Sequence, residues 1–264
     1  MKRYFSGELL FGDNFTEEQI SKWYEEEAEA FADLYGVDVK DGGYSFHDLN
    51  ILYGYNYLKR IEQFENVLGF GASWGYEFLP VIDRIKHLYI VESSRQTRSK
   101  QLKNVVPTYI TPNIRGNIDL SNDSFDLITC FDTLHHIPNV TYVLNELFRV
   151  LKPGGFLLLR EPIHSMGDWT NKRIGLTIHE RGIPKGYLEN IILSAGIDII
   201  QKHYFGFMGS FLSRLFNGAS FLRSNTYLHI DKCLSSLFSF NIHYHEKSKI
   251  QRIAPSSVFY VLRK

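Results

Sequence analysis

The 264-residue chain carries 29 basic and 29 acidic side chains, and 44% of its residues are apolar. Zero formal net charge, with no basic block, argues against a general nucleic-acid or anionic-membrane surface. No run of about 18 apolar residues occurs, so no membrane span is expected. The opening residues 1–6 lack the apolar stretch of a signal peptide, which makes the cytoplasm the expected location. Of the two cysteines, Cys130 sits in an apolar run and reads as a buried, reduced thiol.

In chain order, Thr16-Glu17-Glu18-Gln19 has the form of a capping box. It predicts a helix with Ile20, Trp23, Tyr24, Phe31, Leu34 and Tyr35 on one face, stopped by Gly36. Residues 41–43 read as a loop and 46–64 as a second helix, so a helical cap over residues 1–65 precedes the main domain, residues 66–264. Val67, Leu68 and Phe70 suit a buried strand. Gly69, Gly71, Ser73 and Gly75 then allow a sharp turn and a close approach of backbone to a ligand. Phe78, Leu79, Ile82 and Ile85 follow at helical spacing.

Alternation then continues. Residues 87–92 form a strand ending on Glu92, 93–104 a polar helix, 108–114 a strand made irregular by Pro112, and 125–131 a fourth strand. Asn139 is placed to cap a helix whose face is Val140, Val143, Leu144, Leu147, Phe148 and Leu151. Lys152-Pro153-Gly154-Gly155 breaks it, and residues 156–160 are the fifth strand. Beyond it come a helix at 184–195, a strand at 197–205 and a last strand at 257–264. An aromatic-rich insertion, residues 206–255, lies before that last strand, with helices expected at 211–216 and 227–238. The fold class is therefore α/β: a Rossmann-like, doubly wound, mainly parallel seven-stranded sheet with helices on both faces. The chain has 20 Phe and 16 Tyr, clustered at 44–57 and 204–244. Single rings read as core; the clusters read as the lining of a pocket for an organic substrate.

Four stretches, in order and in register, resemble the class I S-adenosylmethionine-dependent methyltransferases. They are Val67-Leu68-Gly69-Phe70-Gly71-Ala72-Ser73-Trp74-Gly75, the strand-end Glu92, Asp123–Cys130 followed by Leu134-His135-His136-Ile137, and Leu151-Lys152-Pro153-Gly154-Gly155-Phe156. The resemblance covers about residues 66–162. It implies S-adenosyl-L-methionine as cofactor, held by the Gly69, Gly71, Ser73 and Gly75 loop, with Glu92 on the ribose hydroxyls. It also implies Asn117 at the adenine amino group, the backbone of Ile118 at the ring edge and Phe131 over the ring, with Asp119 as the alternative if the loop is shifted. Two departures stand out. The family commonly has an acid where this chain has Gly69, and a glycine where it has Ser73.

In-line transfer of a methyl group needs alignment and exclusion of water, and a hydroxyl acceptor gains from a general base. Asp132, His135 and His136 are the candidates, His164 and His179 weaker ones; the His-His pair reads equally well as a loop tie. Tyr53, Tyr55 and Tyr57 are either core or a cover for the cofactor. His243-Tyr244-His245 lacks a third ligand by spacing, so no metal is expected. The acceptor is expected to be a small organic molecule, with O-methylation ahead of N- or C-methylation, bound between the cap and the insertion. The insertion is expected to act as a lid or as a homodimer contact. Two other readings remain: an NAD(P)-dependent reductase, from Gly69-x-Gly71-x-x-x-Gly75 with Glu92, and a non-catalytic binding protein that keeps the fold.

Overall fold

The computed structural model describes residues 2–34, 44–169, 171, 173, 176–207, 209 and 220–264. The loop expected at 41–43, the helix expected at 211–216, and Tyr35 and Gly36 at the end of the first long helix lie outside the described residues.

Seven strands form one sheet in the order β3-β2-β1-β4-β5-β7-β6. They are β1 (Phe64–Phe70), β2 (Ile85–Val91), β3 (Thr108–Ile110), β4 (Phe125–Phe131), β5 (Leu151–Pro162), β6 (Asp198–Phe205) and β7 (Ser257–Arg263). The five from β3 to β5 run parallel, and β7 lies antiparallel between β5 and β6. Successive residues of a strand point to opposite faces, so the continuous apolar runs feed two cores. Leu68, Phe70, Ile128, Cys130, Leu157 and Leu159 pack under helices α4 (Val140–Val150) and α5 (Lys185–Ser194). Val67, Leu127, Phe131, Leu158 and Val261 pack on the other face, under α3 (His47–Tyr53) and α6 (Asn225–Leu237). Cys130 is fully buried, and burial pushes its thiol well above the ordinary value. The N-terminal segment adds α1 (Lys2–Phe5) and α2 (Glu17–Leu34).

The capping box forms as expected: the Thr16 amide donates to Gln19 Oε1 at 2.9 Å, and the Gln19 amide to Thr16 Oγ1 at 3.4 Å. Other elements differ, each for a local reason. The spacing at 76–85 produces two 3₁₀ turns, Tyr76–Phe78 and Ile82–Arg84, on either side of Pro80, whose ring cannot sit inside an α-helix. Residues 93–104 form no helix; they have few apolar side chains to dock. Instead Ser94 donates its amide to Glu92 Oε1 at 2.9 Å, and Arg98 bonds the Glu92 carbonyl at 2.8 Å.

The second helix is cut at Gly54 and resumes as a 3₁₀ turn, Tyr55–Leu58. A Cβ at Gly54 would stand 2.7 Å from the Phe259 ring, so the glycine permits β7 to pass beneath. The Lys152-Pro153-Gly154-Gly155 break is a bulge inside β5: Phe125 pairs with Leu151, and Leu127 with Phe156. Asn139 does not cap α4. Its amide goes to the Arg115 carbonyl, and the Asp13 carboxylate, 128 residues away, accepts from the Thr141 amide and hydroxyl, both at 2.7 Å.

Candidate functional site

The carboxyl ends of β1, β2 and β4 meet where the order of connections reverses, the position at which open α/β sheets bind ligands. The β1 loop is held in shape there. Gly71 and Gly75 lie at φ of +69° and +76°, and Ser73 takes a left-handed φ of 52°. The Ser73 amide donates to Glu92 Oε2 at 3.2 Å, and the Ser94 amide to Glu92 Oε1. Each carboxylate oxygen has two acceptor positions, so Oε2 keeps one for a hydroxyl donor. Tyr109 fastens the loop from behind: its hydroxyl donates to the Ser73 carbonyl at 3.0 Å and accepts from the Ser99 amide at 2.8 Å.

Gly69 has no room for the acid that the family carries. A Cβ there would meet Ala72 Cβ at 2.6 Å and the Phe78 ring at 2.8 Å. Gly69 and Thr129 are register partners, so they face the same side of the sheet. On that side the buried Glu77 carboxyl accepts a short hydrogen bond from Thr129. Glu77 escaped the sequence reading because it follows the motif by two residues and reads there as the first acid of a helix.

Burial raises the Glu77 pKa from 4.5 to about 7; Asp132 adds to this, while the Thr129 hydrogen bond and Arg160 oppose it. Unfolded, the group ionises near 4.5; folded, it keeps its proton to about 7. The folded state therefore holds the extra proton across that window, and stability is fully present below it and falls as the pH rises through it. The expected loss is about 3 kcal/mol at most. Denaturant melts from pH 4 to 8 should show this slope in the wild type and lose it in Glu77→Gln.

At the end of β4, Asp132 takes a left-handed φ of 51°. Its Oδ2 accepts from Arg160 Nη2 at 2.6 Å and Nε at 3.1 Å. Arg160 is 2% exposed, lies over the Phe46 ring at 4.1 Å, and donates to Asn50 Oδ1 at 2.6 Å. Asn50 in turn donates to the Tyr44 hydroxyl at 2.8 Å. The helical cap thus reaches the strand ends through polar contacts that no spacing in the sequence announces.

His135 and His136 stand apart from this cluster. Glu161, fully buried, accepts from the Thr133 and Leu134 amides and from His135 Nδ1 at 2.9 Å. Burial penalises the charged imidazole of His135, yet Glu161, with Asp132 and Glu180, holds its pKa above the ordinary value. His136 Nδ1 lies 3.4 Å from Glu27 of α2, and its carbonyl accepts from the Trp23 indole at 2.8 Å. His179 stacks on Trp23 and pairs with Glu26, and His164 is a ring whose pKa burial lowers. His179 therefore belongs to the packing between α2 and the segment after β5, whereas His164 bonds the backbone of Ser256.

The Ile118 backbone and the Phe131 ring are engaged otherwise than the resemblance implied. The Ile118 amide donates to Glu146 at 3.1 Å and its carbonyl accepts from Arg149 at 2.8 Å, so both backbone groups are already engaged. The Asn117 backbone N–H donates to Asn113 Oδ1 at 2.8 Å, a bond that does not involve its side-chain oxygen, and Asp119 is exposed. The Phe131 ring packs against Phe259 and Arg160 inside the core. Tyr53 and Tyr55 are core residues, and Tyr57 is 40% exposed and bonded to His203. Of the His-x-His pair, His245 bonds Ser165 and His243 the Asn241 carbonyl, which separates the two imidazoles. A recess of about 220 Å³ at Ile61, Phe64, Asp126 and Lys152–Phe156 opens at the opposite, amino ends of β1, β4 and β5 and contains none of these groups.

The arrangement fits S-adenosylmethionine at the loop and at the ribose, through Glu92 and the Ser73 turn. Glu77 supplies a carboxyl on the face where Gly69 has none. Residues 68–159 match a family model described as "Methyltransferase domain". The chain is 28% identical over 138 residues to the phthiotriol/phenolphthiotriol dimycocerosates methyltransferase of Mycobacterium leprae, over 48% of this chain and 50% of that one. It is 24% identical over 96 residues to the ubiquinone biosynthesis O-methyltransferase of Photorhabdus laumondii, over 36% and 40% of the two chains. The chain thus spans half or less of the length of the curated relatives it matches. Among solved structures, an S-adenosylmethionine-dependent methyltransferase from Mesorhizobium loti shares the fold with a TM-score of 0.51, at 15% identity over 77% of this chain and 92% of that one. The sheet order and the glycine loop facing Glu92 accord with the domain match over residues 68–159, and together they support a class I S-adenosylmethionine-dependent methyltransferase.

Proposed function

We propose that the protein transfers a methyl group to a small organic acceptor, with a hydroxyl oxygen favoured over nitrogen or carbon. The observation that carries the reading is Glu92, fixed by the Ser73 and Ser94 amides beside a left-handed glycine loop. S-adenosylmethionine supplies an electrophilic methyl group on a sulfonium. The chain's part is to align the acceptor with that methyl and to receive a proton. Asp132 is suited to receive it, because Arg160 holds its Oδ2 while its Oδ1 has no hydrogen bond to a described residue. His135 and His136 act in this reading as ties that hold the β4 loop against α2. The relative named as an O-methyltransferase of ubiquinone biosynthesis supports oxygen as the acceptor atom. Zero net charge supports a metabolite over nucleic acid. The acceptor would lie between the N-terminal cap, residues 1–65, and the insertion 206–255, which serves as a lid or a homodimer contact.

Thermal unfolding with S-adenosylmethionine, S-adenosylhomocysteine or NADPH tests the cofactor. A ligand at about 100 times its Kd adds about 2.7 kcal/mol, worth roughly 5–10 °C. Both sulfur ligands should give this shift, and Glu92→Ala should remove it. A shift with NADPH alone would establish the reductase reading instead, and no shift with any ligand a non-catalytic fold. Methyl transfer from labelled cofactor to paired phenol and aniline acceptors then separates oxygen from nitrogen. Asp132→Asn should lower turnover of the phenol by about 10²–10⁴ and leave the aniline rate nearly unchanged.

A further inference from the structure

His135, His136 and Glu180 each offer a ligand atom, and these atoms all lie within 4.8 Å of one another. His135 Nε2 lies 3.7 Å from Glu180 Oε1, and the His135 and His136 rings are in contact with centroids 4.1 Å apart. The cluster is sheltered: the side chains are 8%, 25% and 13% exposed, in the order His135, His136, Glu180.

What surrounds these groups distinguishes them from a chance gathering. His135 Nδ1 faces the Glu161 carboxylate at 2.9 Å, and His136 Nδ1 faces the Glu27 carboxylate at 3.4 Å. In the His135 ring the outer carboxylate selects the tautomer with the proton on Nδ1 and leaves Nε2 toward Glu180. Metal-binding histidines are almost always held in this way. Glu180 is oriented likewise: the Thr177 amide donates to its Oε2 at 3.0 Å, which leaves Oε1 toward His135. The backbone beneath is fixed as well. Arg181 donates to the His135, Ile137 and Pro138 carbonyls, and Trp23 to the His136 carbonyl.

We propose that His135, His136 and Glu180 form a binding site for a divalent cation of the Zn²⁺, Mn²⁺ or Fe²⁺ type, with Glu161 and Glu27 as the outer carboxylates. Two imidazoles and one carboxylate are a donor set for borderline divalent ions, and they leave coordination positions open. Tetrahedral ligation at about 2.0–2.1 Å needs donor atoms roughly 3.4 Å apart. The ligand atoms, now within 4.8 Å of one another, must therefore draw closer together on binding, the His135–Glu180 pair least, from 3.7 Å. The cation joins three segments distant in sequence: the loop after β4, the segment after β5 and, through Glu27, helix α2. It would sit next to the loop that begins at Asp132, yet nothing in its detection depends on the methyl donor. The competing occupant is a proton on His135, shared between Glu161 and Glu180.

The full-length protein, stripped with chelator and dialysed, is titrated calorimetrically with Zn²⁺, Mn²⁺ and Co²⁺ in turn. The proposal expects one ion per chain at micromolar Kd or tighter for at least one of them, and visible ligand-field bands with Co²⁺. His136→Gln and Glu180→Gln should each weaken binding at least tenfold. Melting of the metal-free variants, compared with metal-free wild type, confirms that they are folded. Glu180→Gln keeps the acceptor for the Thr177 amide, so it preserves the local structure if His136→Gln does not. His243→Gln should leave binding unchanged. Absence of saturable binding below 100 µM for all three ions would overturn the site. So would binding that survives both substitutions, or that is lost in His243→Gln. None of these readouts involves the cofactor, so the site and the methyl-transfer reading stand or fall separately.

Discussion

Asp132→Ala should destabilise the protein by about 3–5 kcal/mol, roughly 10 °C in Tm, and by more than Arg160→Met does. The asymmetry follows from burial. Arg160 is 2% exposed, whereas the Asp132 side chain is 35% exposed. If the aspartate is removed, a guanidinium without its counter-charge stays inside the protein, with Asn50 Oδ1 and two rings as its remaining partners. If the arginine is replaced by Met, a methionine fills an aromatic-lined slot and the freed carboxylate turns toward water. Glu77 limits the damage in the first case: near an unpaired Arg160 it gives up its proton more easily. Asp132→Ala combined with Glu77→Gln should therefore cost more than the sum of the two single changes. Urea melts of the four proteins at pH 7 measure this directly. A larger loss for Arg160→Met would show that cation–ring packing, not charge pairing, dominates the cluster.

Gly71→Ala is the second large effect, again about 3–5 kcal/mol. Its φ of +69° lies where an L side chain is strained, at about 1–2 kcal/mol. The added Cβ would also stand 2.3 Å from Thr133 Cγ2 and 2.5 Å from Thr133 Oγ1. Thr133 cannot swing aside without cost, because its hydroxyl contacts the Phe70 and Phe131 carbonyls and its amide is held by Glu161. The substitution should therefore push the β1 loop away from the β4 loop and remove the thermal shift given by S-adenosylhomocysteine. Thr133→Ala in the same chain removes both clashing atoms and leaves Cβ at 3.0 Å. It should recover the steric part, about half of the loss, and leave the backbone part. No recovery would mean that the conformation of Gly71, not its contact with Thr133, sets the cost.

The sheet was legible because its central strands are buried on both faces and read as apolar runs; β4, residues 125–131, agrees to the residue. Helix α4 was equally plain, since Val140, Val143, Leu144 and Leu147 recur at one face of a helix. Residues 76–85 were misread because the spacing of Phe78, Leu79, Ile82 and Ile85 outweighed Pro80, and residues 93–104 because polarity was taken for the exposed side of a helix. Glu92 and the glycine loop were legible as neighbours because strand and turn bring them together within about 20 residues. Arg160, Glu161, Glu180 and Glu27 were not, and their contacts explain why. Arg160 reaches Asn50 across 110 residues, and His136 reaches Glu27 across 109. Such pairs leave no period in a sequence. The strand-end aspartate and the two histidines looked alike as acid–base candidates, yet the fold sends Asp132 to Arg160 and both histidines to buried carboxylates.

The last strand to be synthesised lies between two made earlier. β7 pairs with β5 over seven residue pairs and with β6 over seven more. Until residues 257–263 leave the ribosome, β5 presents a long unpaired edge and β6 has no neighbour at all. Nascent chains of this protein therefore pass through a stage in which the finished half of the sheet can join another chain edge to edge. Chaperone dependence during translation, and domain-swapped dimers after refolding at high concentration, are where that stage would show itself.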